Sequence, residues 1–161
     1  MEVIKLNTQF KQRICLNGHQ ITDRVTWNDT TNEFCEKCGA KVIDSCPNCK
    51  NKINGYLQID GVYDISAYTV PVPKYCKICG NPYPWTKAAL EALDEIIELS
   101  ELSEKDKQTL KDSSLDLISN TPKSKVAALK WKTFGKSLLG IAHDVLVDVA
   151  SESIVKLIYG G

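Results

Sequence analysis

The chain has 161 residues, of which 43% are apolar and 25% charged, which predicts one ordinary domain or two small ones and excludes a disordered chain. Its 20 basic and 20 acidic residues cancel, so no overall field draws it to nucleic acid or to an acidic surface. The first ten residues lack the features of a secretory signal, and polar residues interrupt the longest apolar stretch, residues 137–150. We therefore expect a cytoplasmic protein without a membrane span.

The seven cysteines all lie between positions 15 and 79, and six of them form three Cys-x-x-Cys pairs. The seventh, Cys15, is followed four positions later by His19. Because disulfides rarely persist in the cytosol, we interpret the pairs as metal ligands. Counting His19 gives eight ligands, which fill two tetrahedral zinc sites with none left over. The predicted ligands are Cys15, His19, Cys35, Cys38, Cys46, Cys49, Cys76 and Cys79.

Turn-forming residues accompany these pairs. Gly39 and Gly80 directly follow a cysteine, and Gly18 directly precedes His19. Glycine tolerates the positive φ that the tight turn of a zinc knuckle needs. The alternative for His19 is a plain turn residue, which would leave Cys15 free and a site with three ligands.

The order of the pairs allows two ways of sharing the metals. In the sequential assignment the first four ligands hold one zinc ion and the last four hold the other, enclosing loops 20–34 and 50–75. Segments 21–27 and 53–65 within these loops are rich in β-forming residues. The alternative is a cross-brace, as in RING domains, but seven residues separate the second pair from the third, which favours the sequential assignment. We predict a double zinc-ribbon domain over residues 1–85, with two structural zinc ions per chain.

No enzyme class is supported by these motifs. Eight ligands for two ions leave no open coordination position for a catalytic water and no free thiol beside a base. The chain also lacks a phosphate-binding loop, a His-Glu-x-x-His motif and a Ser-His-Asp order. His143 beside Asp144 lies on a predicted helix, where a polar surface role is the simpler interpretation. We expect a protein that is not an enzyme and has no small-molecule substrate.

Three motifs in combination point to a known family. They are the CLNGH start at Cys15, the three cysteine pairs, and the YPWT junction at Tyr83–Thr86, which precedes a helical tail containing TPKSKVAALKWKTF. With these the chain resembles an uncharacterised bacterial family, a domain of unknown function with zinc-ribbon character, from about Cys15 to Ile158. The resemblance implies zinc binding and a bacterial cytosolic setting, and it implies no activity.

The region 86–161 is predicted to be helical, because apolar residues recur at helical spacing after Thr86 and proline cannot sit inside a helix. The fold class is therefore a small α+β protein: tandem zinc ribbons followed by about three helices. The predicted boundaries are an N-cap at Thr86, a second helix from Ser103 to a stop at Asn120, and a third helix over 122–159 after an N-cap at Thr121.

An apolar stripe runs along the predicted third helix, with steps of four, three, four and four residues. It is either the core of a small helical bundle or a surplus apolar face that needs a partner. On the second interpretation it binds a protein partner or a second copy. The partner-binding residues are then Trp131, Phe134, Leu138, Ile141, Val145 and Val149.

Charge is segregated along the helical region. Residues 86–119 hold nine acids and four lysines, net −5, whereas residues 122–136 hold five lysines and no acid, net +5. The two surfaces either face each other within one bundle, pair between subunits, or leave the lysines to meet anionic lipid. Trp131 lies among these lysines, a composition typical of an interfacial helix.

The resulting hypothesis is a zinc-binding interaction or scaffold protein whose C-terminal amphipathic helix mediates self-association or docking to a protein partner. One alternative is a nucleic-acid-binding zinc ribbon, with Trp27, Tyr56 and Tyr63 stacking on bases. Two zinc ions and seven thiolates would bring residues 1–85 to a charge of about −1, however, and phosphate binding needs clustered positive charge. The other alternative is peripheral association with a membrane through the third helix.

Overall fold

The computed structural model describes residues 6–25 and 33–160. The chain divides into two compact units, Met1–Thr86 and Lys87–Gly161. Each unit has a hydrophobic core of its own. Among the described residues, no helix is long and apolar enough to cross a membrane.

The first unit contains a four-stranded antiparallel sheet made of β1 (Thr8–Cys15), β2 (Gln20–Val25), β3 (Val42–Ile43) and β4 (Asn54–Gln58). All three other strands pair with β1. Strand β1, which ends at the first predicted ligand, Cys15, was not predicted. The two β-rich segments of the sequence therefore share one sheet instead of forming two separate hairpins. Thr26 and Trp27, the end of the first segment, lie outside the described residues.

Buried polar side chains on β1 and β2 hydrogen-bond to the segment 70–74, which leads to the Cys76 pair. The Gln12 side chain is 1% exposed, and its amide donates to the backbone oxygens of Asn54 and Pro71 at 2.9 and 3.2 Å. The buried Asp23 carboxylate accepts from the backbone N–H of Val70 at 2.9 Å. Since buried polar groups are costly unless they are paired, these bonds fix the path of the chain into the Cys76 pair.

The second unit is built from five helices around one apolar core. In chain order they are α1 (Pro84–Glu98), α2 (Glu104–Ile118), α3 (Ser124–Phe134), α4 (Leu139–Val149) and α5 (Glu152–Tyr159), with a 3-10 turn, Lys136–Leu138, before α4. The core side chains with the least exposure include Leu93, Ile97, Leu110, Leu117, Trp131 and Leu146.

The small α+β class is confirmed, but the number of helices was wrong. The predicted third helix is broken into α3, a 3-10 turn, α4 and α5. The first break follows Phe134, where Gly135 lies so close to α3 that a Cβ there would be 2.9 Å from the Trp131 carbonyl oxygen. The second break is at Ala150, whose backbone is extended, ψ 158°. Glycine makes the first break inexpensive. At the second, Ser151 precedes α5 with an extended backbone, ψ 155°, and without a side-chain cap hydrogen bond.

The predicted helix starts were correct for α2 and shifted for the others. The Ser103 hydroxyl accepts from the backbone N–H of Asp106 at 3.2 Å, and Asn120, φ 51°, terminates this segment in the left-handed region. Helix α1 begins at Pro84 instead of after Thr86, because proline is tolerated in the first turn, where no N–H partner is required. Helix α3 begins at Ser124, two residues later than predicted.

The predicted apolar stripe does not form one exposed face. Trp131 and Leu138 are buried in the core of the second unit, at 0% and 5% exposure. Val145 and Val149 are half-buried against the same core. Phe134 and Ile141, the remaining two, are 43% and 71% exposed. The break after Phe134 separates these positions, so the stripe is mainly internal packing, and the buried Trp131 is not placed to serve as an interfacial side chain.

Replacing Gly55 by alanine should destabilise the first unit, because the added Cβ would lie 2.0 Å from the backbone oxygen of Asp23. Backbone cannot move aside as a flexible side chain can, so we expect a loss of about 1–3 kcal/mol or more in unfolding free energy. Chemical denaturation followed by circular dichroism measures it. The matched control is Gly140→Ala in α4, where a Cβ meets nothing within 4 Å and helix propensity should raise stability by about 0.5–1 kcal/mol. Equal effects from the two changes would contradict the close approach.

Candidate metal centre

The first cluster consists of Cys15, His19, Cys35 and Cys38, whose ligand atoms all lie within 4.8 Å of one another. Cys15 is the last residue of β1, and a tight turn returns the chain to His19. The His19 Nδ1 atom is 3.5 Å from the Cys15 sulfur and 3.6 Å from the Cys35 sulfur. The Cys15 and Cys38 sulfurs are 3.7 Å apart. Nδ1 is thus the imidazole nitrogen that faces the three thiols.

The second cluster consists of Cys46, Cys49, Cys76 and Cys79, again within 4.8 Å of one another. The Cys46 and Cys79 sulfurs are 3.8 Å apart, and the Cys49 and Cys76 sulfurs are 3.6 Å apart. All seven cysteines are free thiols, since a disulfide would need sulfurs about 2.05 Å apart. The division into these two clusters is the sequential one and differs from a cross-brace.

These separations fit a tetrahedral metal ion. Thiolates about 2.3 Å from a zinc ion at tetrahedral angles lie about 3.8 Å from one another, and a thiolate and an imidazole nitrogen lie about 3.6 Å apart. The shortest edges in both clusters match these values. The donor chemistry also fits, because each cluster offers four sulfur or imidazole donors and no carboxylate. Both clusters could therefore hold a metal ion.

All three Cys-x-x-Cys pairs are built on the same backbone turn. The residue after the second cysteine, Gly39, Lys50 or Gly80, donates its N–H to the carbonyl oxygen of the first cysteine at 2.8–2.9 Å. The first cysteine in turn donates its N–H to the carbonyl oxygen five residues on, at 2.8–2.9 Å. The residue after the second cysteine has a positive φ in every turn: 72°, 66° and 72°. This conformation aims both sulfurs of a pair at one point.

Hydrogen bonds to sulfur favour the thiolate form, which is the form that binds metal. The backbone N–H of Ala40, followed by the side chain of Asn17, lowers the pKa of the Cys38 thiol to about 6. The backbone and side-chain N–H groups of Asn81 and the side chain of Asn48 do the same for Cys79, whose pKa is also lowered to about 6.

Burial acts in the opposite direction on the first cysteine of two turns. Cys15 and Cys46 are 0% and 2% exposed, and loss of solvation raises the pKa of both thiols. A buried thiolate needs a neighbouring positive charge, and a divalent ion at the centre of each cluster would supply it.

Two asparagines were missed in the sequence analysis. The Asn51 side-chain amide donates to the Cys49 sulfur at 3.2 Å, and the Asn81 amide donates to the Cys79 sulfur at 3.5 Å. Each lies two residues after the second cysteine of its pair. That repeated spacing is the signal that could have identified them.

The YPWT junction, Tyr83–Thr86, packs against the second cluster. The rings of Tyr83 and Trp85 stack at 4.7 Å in the same apolar cluster as Cys46 and Cys76. The Trp85 indole donates to the Pro73 carbonyl oxygen at 2.8 Å. Burial and the nearby thiolates raise the pKa of Tyr83, so its hydroxyl stays neutral. Gly18 has φ 89°, and a Cβ added to it would lie 3.0 Å from the Cβ atom of Trp85. The turn of the first cluster therefore lies directly against this tryptophan.

Replacing Lys50 by glycine should stabilise the metal-loaded protein. Lysine at φ 66° is strained where the other two turns have glycine, so relief of the strain is worth about 1 kcal/mol. Thermal or chemical unfolding at saturating metal measures the change. The reciprocal control is Gly39→Ala, where a Cβ meets nothing within 4 Å and any loss of stability is due to the backbone conformation alone. A Lys50→Gly protein less stable than the parent would contradict the shared turn.

Replacing His19 by alanine should remove one metal ion per chain. The remaining three thiols of the first cluster cannot close a tetrahedron, so a competing chelator should strip that ion at a concentration that leaves the parent with two. Native mass spectrometry counts the ions. His143→Ala is the control: this second histidine contacts Asp144 and the Tyr159 ring and should leave two ions bound. Retention of both ions by His19→Ala would show that His19 is not a ligand.

Comparison with known proteins gives one match. No curated protein and no solved structure matches the chain. A family model, DUF2321, described as an uncharacterised protein conserved in bacteria, matches residues 8–158, which include both clusters and nearly all of the helical unit. The chain therefore belongs to this bacterial family.

Proposed function

We propose that the protein is a non-enzymatic zinc-binding interaction module, in which two structural zinc ions hold the first unit and the helical unit mediates self-association. The observation that carries the proposal is the convergence of eight donors into two clusters with the edge lengths of a tetrahedral zinc site. The first cluster would hold zinc through Cys15, His19, Cys35 and Cys38. The second would hold it through Cys46, Cys49, Cys76 and Cys79.

The donor set favours zinc over other metals. Tetrahedral sites with sulfur ligands are typical of zinc and of iron–sulfur centres, and hard cations such as Mg²⁺ or Ca²⁺ prefer oxygen ligands. Three thiolates with one imidazole are a common structural zinc set. Because both clusters use the same backbone turn, the simplest proposal is that each binds an ion of the same element.

The small apolar core of the first unit supports a structural role for the metal. Among the described residues of this unit, the buried apolar side chains other than the cysteines are Ile14, Val42, Ile53, Tyr83 and Trp85. A structural zinc site can contribute about 10–16 kcal/mol of apparent binding free energy, which exceeds what a core of this size supplies. Four protein donors per ion leave no position for a catalytic water, which supports a non-enzymatic role.

A solvent-exposed apolar loop supports the interaction role of the first unit. In the segment 57–68 the side chains of Tyr63 and Ile65 are 91% and 99% exposed, and four more apolar side chains are about half exposed: Leu57, Ile59, Val62 and Tyr68. Both ends of the loop are fastened to the sheet, by the pairing of β4 and by the bonds to Val70 and Pro71. Clustered exposed apolar side chains mark surfaces that bind other macromolecules.

The other two hypotheses have less support. For nucleic acid, Tyr56 lies beneath the Arg24 guanidinium, 3.9 Å from ring centroid to carbon, so this face is occupied, and Trp27 lies outside the described residues. For a membrane surface, the aromatic anchor Trp131 is buried. Both remain outcomes that the binding experiments below can detect.

Removing the metal should unfold the first unit and leave the second folded. With zinc chelated, amide hydrogen exchange in β1–β4 should rise to unfolded rates, whereas α2–α5 should keep their protection, because their core is apolar and contains no metal ligand. Hydrogen-exchange mass spectrometry measures both units in one sample, and re-addition of Zn²⁺ should restore protection. Unchanged exchange in β1–β4 after complete removal of the metal would reject a structural role.

A further inference from the structure

The lysines of the segment 122–136 form no ion pair with a carboxylate in the part of the chain that the structure describes. Among the described residues of the second unit, the ion pairs between lysine and carboxylate are Glu98–Lys111, Glu104–Lys107 and Glu152–Lys156. All of them lie outside this segment. We call its lysines, all exposed, the basic face: Lys123, Lys125, Lys130, Lys132 and Lys136. No ion pair between described residues thus joins the acidic segment to the basic one, and the two segments meet at a cavity that Asp116 of α2 lines together with Lys123 and Lys130.

Apolar side chains are exposed among these lysines. Val126, Leu129 and Phe134 are 55%, 53% and 43% exposed, whereas Ala127, Ala128 and Trp131 on the opposite side of α3 are buried in the core. The exposed side of α3 is therefore both basic and apolar along the whole helix. Its 11 residues make a surface about 16 Å long at 1.5 Å per residue. A surface of this composition suits a partner that is acidic and partly apolar.

The same unit carries such a surface on α1. Glu91, Asp94 and Glu95 are exposed on this helix and Glu101 follows it, and none of the four forms an ion pair with a residue that the structure describes. The charge of Asp94 contributes to raising the pKa of Lys111. Leu99, at the end of α1, is 87% exposed. We call Glu91, Asp94, Glu95 and Glu101 the acidic face.

We propose that the acidic face of one copy docks on the basic face of a second copy of this chain. The segments that contain the two faces carry net charges of −5 and +5, and each face presents exposed apolar side chains beside its charges. In a twofold dimer the contact is made twice, because the acidic face of each copy meets the basic face of the other. Two contacts bring the buried area closer to that of a stable interface than one helix pair does.

Lipid and nucleic acid fit the basic face less well. The carboxylates of α1 and α2 lie in the same unit and would be repelled by an anionic membrane or a phosphate backbone. Val126, Leu129 and Phe134 offer phosphate no hydrogen bond. A second copy satisfies the lysines, the carboxylates and the apolar side chains together. The inference rests on the self-association part of the proposed function and does not depend on the metal.

The test is a charge exchange on the full-length, metal-loaded protein. Lys125→Glu/Lys130→Glu removes the basic face, and Glu91→Lys/Glu95→Lys removes the acidic face. All four side chains are exposed, so both proteins should fold, which circular dichroism checks. By sedimentation velocity we expect a dimer for the parent, at least tenfold weaker in 500 mM than in 50 mM salt, and monomers for each variant. A 1:1 mixture of the variants should form a heterodimer. In it the unchanged acidic face of one variant meets the unchanged basic face of the other, and the introduced glutamates meet the introduced lysines.

The control Lys41→Glu/Lys52→Glu makes the same change of charge at two exposed lysines of the first unit, outside both faces, and should remain a dimer. A monomeric parent at low salt, or variants that fail to associate when mixed, would overturn the proposal. Binding of the monomeric parent to vesicles with anionic lipid, or to an oligonucleotide, that is lost in Lys125→Glu/Lys130→Glu would also overturn it, in favour of an external anionic partner. Native mass spectrometry of the same samples reports the metal count, so loss of the dimer with two ions retained leaves the zinc proposal intact.

Discussion

The first unit depends on one constraint: four side chains from separate parts of the chain must meet within 4.8 Å at each of two points. Each cluster joins residues far apart in sequence, such as Cys46 and Cys79. It thereby closes a loop in which few of the described apolar side chains are buried. Free thiols gain little from such proximity, and thiolates would repel one another there. A divalent ion would turn this repulsion into attraction, so that the folding of this unit would be coupled to the binding of metal.

The backbone turn of each cysteine pair prepares the sulfurs for that role. The Asn51 amide donates to the Cys49 sulfur. The backbone N–H of Ala40 and the side chain of Asn17 lower the pKa of Cys38, and the backbone and side chain of Asn81 with the side chain of Asn48 lower that of Cys79. The positive φ after each second cysteine has an energetic cost. This cost is highest at Lys50, because lysine is strained in the left-handed region where glycine is not. Local backbone strain and metal affinity are thus properties of the same few residues.

The second unit is held by different physics. Its fully buried side chains, Leu93, Leu110, Leu117, Trp131 and Leu146 among them, form an apolar core without metal ligands. Its exposed charged residues are segregated by helix, with mainly acidic residues on α1 and lysines on α3. Such sorting adds little to the stability of one chain, since exposed charges are well screened, but it can direct association between chains.

The sequence by itself determined the chemistry of the first unit and the class of the second. The eight donors follow from short spacings, which favoured their sequential grouping over a cross-brace and left the choice to the structure. The Ser103 cap and the Asn120 stop of α2 follow from local hydrogen bonding, which a few neighbouring residues decide. Only the tertiary structure decided that three strands share β1, because strand pairing joins distant segments such as Thr8 and Gln58. Likewise, only the packing of the second unit decided that Trp131 and Leu138 are buried, because helical periodicity alone cannot distinguish the core of a bundle from a face open to a partner.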